Sequence, residues 1–224
     1  MIATADANEA AAIIRTATSM LLATSSGQQG RAGSDLRRAC GDLAVNAEKY
    51  AAYNQVAYKL AYCFDQARAA GATLSEFNQI YATMAAETPV SLIATLMAMS
   101  CVSFSLQQVS LVLMATTFTS RDDVDNVRGV VDAAFRDAEE VAADAMAQMT
   151  YQTLVALHAA VLFHLYQTAQ PLPQLLDFQF AAIKPTLVQS YRLYADASRA
   201  DELRAENKVV HPAFAPRAGQ ALAF

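Results

Sequence analysis

Apolar residues recur at three- and four-residue intervals through most of the first 170 positions, the spacing that lays one stripe along an α-helix. Asp6 with Glu9 reads as a capping box and predicts a helix to about Thr24, followed by the loop "SSGQQGRAG". Ser34 opens a helix to about Tyr50, and "NQVAYKLAYCFDQARAA" forms another that stops at Gly71, a residue suited to the left-handed position after a helix. Thr73 with Glu76 predicts a second capping box. Thr88 as N-cap and Pro89 in the first turn begin the next helix.

That helix lies in a run of 33 positions, Thr88 to Ser120, without a charged residue or histidine, long enough to span a bilayer. Ser91, Thr95, Ser103 and Gln107 fall in one near-axial row, however, and no Lys/Arg cluster flanks either end. Leu92, Leu96, Met99, Val102 and Leu106 share a different face. The run is read as the central helix of a bundle, with no membrane insertion, its small residues allowing close approach.

Ser120 with Asp123 opens a longer pattern, in which Val124, Val127, Val131, Ala134, Ala138, Val141 and Ala145 make one stripe. The stripe slips between Met146 and Gln152 and resumes at Leu154, Leu157, Val161 and Leu165. Either a kink or short break lies there, or about 46 residues form one rod of roughly 70 Å. Pro171–Pro173 ends the pattern and marks a domain boundary. Beyond it "LLDFQFAAI" reads as a strand. Helices follow at Thr186–Tyr194 and Ser198–Asn207, the second capped by Ser198 with Asp201, and the chain ends in an extended "QALAF". The expected fold is mainly α: an elongated bundle with very long helices over residues 1–170, then a small βααβ module over 174–224.

Composition agrees, with only 7 Gly and 6 Pro and a large alanine share. The net charge of −5 is uneven: residues 121–170 carry 3 basic and 8 acidic groups, and the rest of the chain is balanced. No basic stripe exists to neutralise phosphates, which disfavours nucleic-acid binding. Cys40, Cys63 and Cys101 are odd in number and sit in apolar helical patterns, as buried reduced thiols do. The N-terminus has no basic region before its apolar run, so it is not read as a secretory signal, and the chain is expected to stay in the cytoplasm where it is made.

Chemistry is sparse. His158 and His164 are six residues apart, too far around a helix to share a metal, and neither has a carboxylate one turn away on its own helix. They are read as packing or interface histidines, and His211, before Pro212, as a turn residue bonding the local backbone. No nucleophile elbow, phosphate-cradling glycine loop, paired CxxC or HExxH helix occurs. The acidic groups Asp122, Asp123, Asp125, Glu139 and Glu140 supply no desolvated acid beside an ionised base. The chain is therefore expected to be no enzyme, with no catalytic residue, cofactor, metal site or small-molecule substrate. In "SRADELRAEN", Arg199 with Glu202 and Asp201 with Arg204 are spaced to pair. Arg199, Asp201, Glu202, His211 and Phe214 are the candidate partner-binding residues, since arginine and aromatic anchors dominate protein contacts.

The strand–helix–helix–strand order after Pro173 resembles a LysM module, with Asn207, Pro216, Gly219 and Leu222 in comparable places. The usual Gly-Asp-Thr entry is replaced by "IKPTL", and an extra residue lies between Pro216 and Gly219. More specifically, "FTSRDDVDNVRGVVDAAFRDAEEVAADAM", "YQTLVALHAAVLFHL" and "YRLYADASRADELRAENKVVHPAF" resemble the C-terminal portion of the tail protein N family of Mu-like phages, often labelled DNA circularisation proteins. The recurring phrases are Arg192–Tyr194, Ser198–Leu203 and Asn207 to Phe214. Family members usually begin with a β-rich domain, whereas this chain starts directly in the helical part. The resemblance implies a structural subunit of a contractile tail, in the virion near the junction of tube, hub and baseplate. Its partners would be other tail and baseplate proteins and further copies of itself. Two alternatives are a peptidoglycan-binding module at the LysM-like end and a DNA-end-binding circularisation protein.

Overall fold

Alanine lets helices form and approach closely, and the computed structural model, which describes residues 4–24 and 30–223, is built mostly of them. Among the described residues there are ten α-helices and one two-stranded sheet. Two compact units divide the chain. One takes residues up to 116 together with 131–162; the other takes 117–130 and 163 onward.

The first unit contains α1 (Thr4–Ala23), α2 (Gly30–Val45), α3 (Ala47–Ala52), α4 (Val56–Ala69), α5 (Leu74–Ala85) and α6 (Leu92–Ala115). Helix α2 begins four residues before Ser34, at Gly30, and residues 25–29 of the expected loop lie outside the described part. Gly71, at φ +96°, ends α4 as expected: its N–H reaches Arg68 O, and the N–H of Ala72 reaches Ala67 O. Thr73 and Glu76 form the predicted capping box of α5.

Two predicted starts are corrected. Glu9 does not cap its own helix; its carboxylate accepts the N–H groups of Val90 (2.6 Å) and Ser91 (2.9 Å), just before α6. Helix α6 begins three residues after Pro89, with Ser91 as N-cap accepting from Ala94 N–H. A carboxylate there satisfies donors that the helix leaves free and opposes the positive end of its dipole. The Ser91 side chain, then the Val90 and Ser91 amides, hold the Glu9 carboxyl below its usual range. A lowered folded-state value means that the stabilisation is full above about pH 4.3, the unfolded glutamate value, and is lost as pH falls through the folded one. Glu9→Gln should therefore lower the melting temperature at neutral pH, and the gap to wild type, read by calorimetry, should close at low pH.

The core of this unit is aromatic and aliphatic. Phe64 on α4 lies 6.4 Å from Phe77 on α5 and 5.9 Å from Phe104 on α6, centroid to centroid, and Ile14, Leu21, Leu36, Leu60, Ile80 and Leu113 are fully enclosed. Gln108 is buried on α6 and fully used: Arg68 Nε donates to its Oε1, and its Nε2 donates to Asp65 Oδ1, both at 2.9 Å. Helix α6 is long and apolar enough to cross a membrane, and more than half of its apolar window is buried inside the protein. Its buried face differs from the expected one. Ser105, Gln108 and Ser110 point inward while Leu92 and Leu96 are exposed.

The long pattern is two helices, α7 (Arg121–Asp144) and α8 (Gln148–Ala169). Ser120 and Asp123 cap α7 reciprocally, as predicted. Among the described residues no 46-residue rod exists, and the longest helices have 24 residues. The break is a left-handed turn at Met146 (φ +53°), whose N–H bonds Ala143 O while that of Ala147 bonds Ala142 O. The inner stripe of α7 is Val124, Val131, Ala134, Phe135, Ala138 and Ala142; Val141 is exposed.

In the second unit α8 ends just before Pro171, and β1 (Gln174–Gln179) pairs antiparallel with β2 (Ala218–Ala223), Gln174 opposite Ala223. Between them lie α9 (Thr186–Tyr194) and α10 (Ala200–Glu206), with 3₁₀ turns at Ala197–Arg199 and Pro212–Phe214. Asp196, not Ser198, supplies the cap before α10, accepting from Ser198 N–H and Oγ at 2.8 Å. The α7 end of this unit is tied in by Arg121 N–H to Pro173 O and by Leu175 N–H to Asp122 Oδ2, both at 2.8 Å.

Candidate functional site

The segments Arg192–Tyr194, Ser198–Leu203 and Asn207 to Phe214 lie within the strand–helix–helix–strand unit, and several of their residues hold it together. Asn207, just past α10, donates from Nδ2 to Leu203 O (2.9 Å) and Gln220 O (2.7 Å) and accepts Gln220 N–H on Oδ1 (2.7 Å). It thereby fixes β2 to the end of α10. Gly219 lies under it; a Cβ there would collide with Asn207 Oδ1 and lie 3.1 Å from the Phe178 ring.

Arg199 is engaged within the fold. Its Nε and Nη2 grip Glu202 at 3.1 and 2.6 Å, Nη2 also donates to Leu222 O at 3.0 Å, and the guanidinium lies 3.8 Å from the Tyr194 ring centroid. The Glu202 contact raises the arginine's pKa further. Asp201 is exposed on α10, and its expected partner Arg204 instead donates to Val209 O at 3.1 Å. His211 behaves as predicted, its Nδ1 accepting the N–H of Ala213 (3.3 Å), and its ring lies 5.3 Å from Phe214. So the structure joins Arg199 to Glu202 and His211 to Phe214, and sets Asp201 in neither pair.

Phe214 is 72% exposed, and other apolar side chains face water near it in the fold. Leu187 and Tyr191 stand one turn apart on α9, and Ile183 precedes that helix. The Lys184–Ala215 bridge and the bond from Thr186 Oγ1 to Pro212 O (3.3 Å) join the entry of α9 to the Pro212–Phe214 turn. Phe214, Ile183, Leu187 and Tyr191 are the candidate contact residues.

A second cluster, in the first unit, escaped the sequence reading. His158 on α8 is 12% exposed and stacks on Phe135 of α7 at 4.9 Å and 6°. Its Nδ1 is 2.9 Å from Glu139 Oε1 and its Nε2 3.1 Å from Asp132 Oδ1. Ionised carboxylates only accept, so both contacts are hydrogen bonds only when both ring nitrogens carry hydrogen. Asp132 and Glu139 flank opposite edges of the ring and do not converge on one cation position; among the described residues no three such groups do. The arrangement locks two helices together. The carboxylates stand 19 and 26 residues before the histidine, on the neighbouring helix, beyond any search one turn either way.

A cavity of about 220 Å³ in the first unit is lined mainly by apolar groups, among them Met84, Met99, Val102 and Leu154. Its Tyr81 hydroxyl donates to Ala134 O (3.0 Å), and burial, with the Asp137 charge, raises its pKa. The cysteines are free and buried: burial pushes Cys101 up to about 12, and the contact with Cys63, then burial, raises Cys40. Thiols held protonated in this way are poor nucleophiles. No protein-family profile and no curated protein matches the chain.

Proposed function

We propose that the chain is a structural subunit of a contractile phage or phage-derived tail, near the junction of tube, hub and baseplate, acting by protein–protein assembly and not by catalysis. The observation that carries this reading is how the residues of the tail-protein-like phrases divide. Asn207, Leu203, Arg199 and Glu202 are consumed in holding the C-terminal unit together. Phe214 and Tyr191, from the same phrases, stay exposed, as does Leu187 one turn before Tyr191. Large aromatics at the surface that their own fold does not need are the usual anchors of a protein contact.

Phe214→Ser and Tyr191→Ser together should lower incorporation into purified particles by roughly tenfold or more, since losing an aromatic anchor costs about 2 kcal/mol or more of binding. Thermal unfolding should change by no more than about 0.5 kcal/mol, because both side chains are exposed. Unchanged incorporation would remove this surface from the account.

A second reading is favoured by one observation, the strand–helix–helix–strand order with its antiparallel β1–β2 pair. If the unit is LysM-like in function as well as order, it holds peptidoglycan. Co-sedimentation with purified sacculi, at a concentration where a LysM module is retained, separates the two; no retention eliminates the glycan reading.

A further inference from the structure

Helix α7 shows how this chain marks a face meant for water: Asp125, Arg128, Arg136, Asp137, Glu140 and Asp144 line its outer side. Helices α6 and α8 contain no Asp, Glu, Lys or Arg, yet each has an outer side in solvent. On α6 the exposed Leu92, Leu96, Gln107, Leu111 and Met114 and the partly exposed Ser100 and Ser103 between them form one stripe, spaced by three and four. Leu92 is 73% exposed and Met114 55%. Several of these residues form one wall of a groove of about 520 Å³ whose other wall is Met149, Thr153, Leu154 and Leu157 of α8. No charged side chain lines it. An apolar, uncharged outer face on a helix is not built to end at water.

The order of the stripe points to its occupant. Read from either end towards Ser103, it runs apolar, apolar, small or polar: Leu92 corresponds to Met114, Leu96 to Leu111, and Ser100 to Gln107. About a two-fold axis an antiparallel helix pair sets positions about equally far either side of the axis against one another, so this order puts apolar on apolar and polar on polar. We infer that this face of α6, with the α8 wall of the groove, binds a second copy of the chain about a two-fold axis passing Ser103.

The centre of the stripe suits close approach. Ser100 Oγ donates to Leu96 O (2.7 Å) and Ser103 Oγ to Met99 O (2.8 Å), so covering them strands no donor. Gln107 would meet Ser100 of the second copy, two polar groups able to bond each other. A lipid would offer the Gln107 amide nothing, and α6 has no basic residue at either end to sit among headgroups. The exposed parts of the stripe and of Met149 come to on the order of 700 Å², near the roughly 800 Å² per partner of a standard interface. The inference does not depend on the tail assignment and is tested on the isolated full chain.

Sedimentation equilibrium up to about 50 µM is expected to show a monomer–dimer equilibrium. Leu111→Glu should raise its dissociation constant by roughly 30-fold, as loss of an interface anchor does, with unchanged helical circular dichroism. Ser103→Cys should give a covalent dimer under mild oxidation, because a residue at the axis meets its own copy, while the buried native cysteines give none. A chain that stays monomeric over this range overturns the inference, as does a dimer that Leu111→Glu leaves intact and Ser103→Cys does not link. A monomer that floats with phosphatidylcholine–phosphatidylglycerol vesicles would assign the face to lipid instead.

Discussion

Phe64→Ala is expected to remove about 3–5 kcal/mol of stability, the range for a fully buried phenylalanine that leaves a cavity. Phe64 has no exposed surface, and its ring lies among Phe77 and Phe104. One side chain thus joins α4, α5 and α6. The surrounding helices cannot simply collapse into the space. Helix α6 is held to α4 by Gln108 through Arg68 and Asp65, and its start is held to α1 by Glu9. Denaturant unfolding followed by circular dichroism checks this, with a fall in midpoint at unchanged slope. A loss below about 1 kcal/mol would mean that this core is looser than its geometry indicates.

The second large effect is expected at a residue with no side chain. Gly219→Ala places a methyl group against Asn207 and 3.1 Å from the Phe178 ring. Asn207 cannot yield freely, because three hydrogen bonds hold its amide to Leu203 and Gln220. Displacing it forfeits those bonds, each about 0.5–1.5 kcal/mol, so a loss of roughly 2–4 kcal/mol in the C-terminal unit is expected. The cause can be isolated with a double-mutant cycle: Asn207→Gly removes the obstacle, so Gly219→Ala should cost much less in that background. Additive effects would show that the collision is not the cause. Hydrogen exchange at the β1–β2 amides reports the loss locally.

What could be read from the sequence was what short-range chemistry decides. Thr73 with Glu76, Ser120 with Asp123, Gly71 and the span Thr186–Tyr194 all stand as expected, because each signal and its partner lie within a turn of one another. The stop after α7 was ambiguous because Met146 takes the left-handed conformation that glycine usually signals, as do Ala195 after α9 and Lys208 after α10. Glu9 was misassigned for a different reason: its partners are about 80 residues away, and a local capping pattern is indistinguishable by sequence from a long-range one. In the uncharged run, apolarity alone could not say which face of α6 was inward, since serine bonds its own helix and is cheaply buried there.

The candidate site was legible to a similar degree. The His211 turn followed from its place before Pro212, and the Arg199–Glu202 pair from its spacing. Arg199 also holds Leu222 O on the last strand, a contact 23 residues away that turns a candidate anchor into a fold contact. Phe214 is the one apolar side chain of the five candidates, and it is 72% exposed.

The proposed tail role requires the chain to be built into the particle. Quantitative mass spectrometry of purified, nuclease-treated particles from the producing cell tests it most directly. The chain is expected in every preparation, at a fixed ratio to the tube and baseplate proteins. Intact particles lacking it, with the chain left in the cell lysate, would contradict the claim.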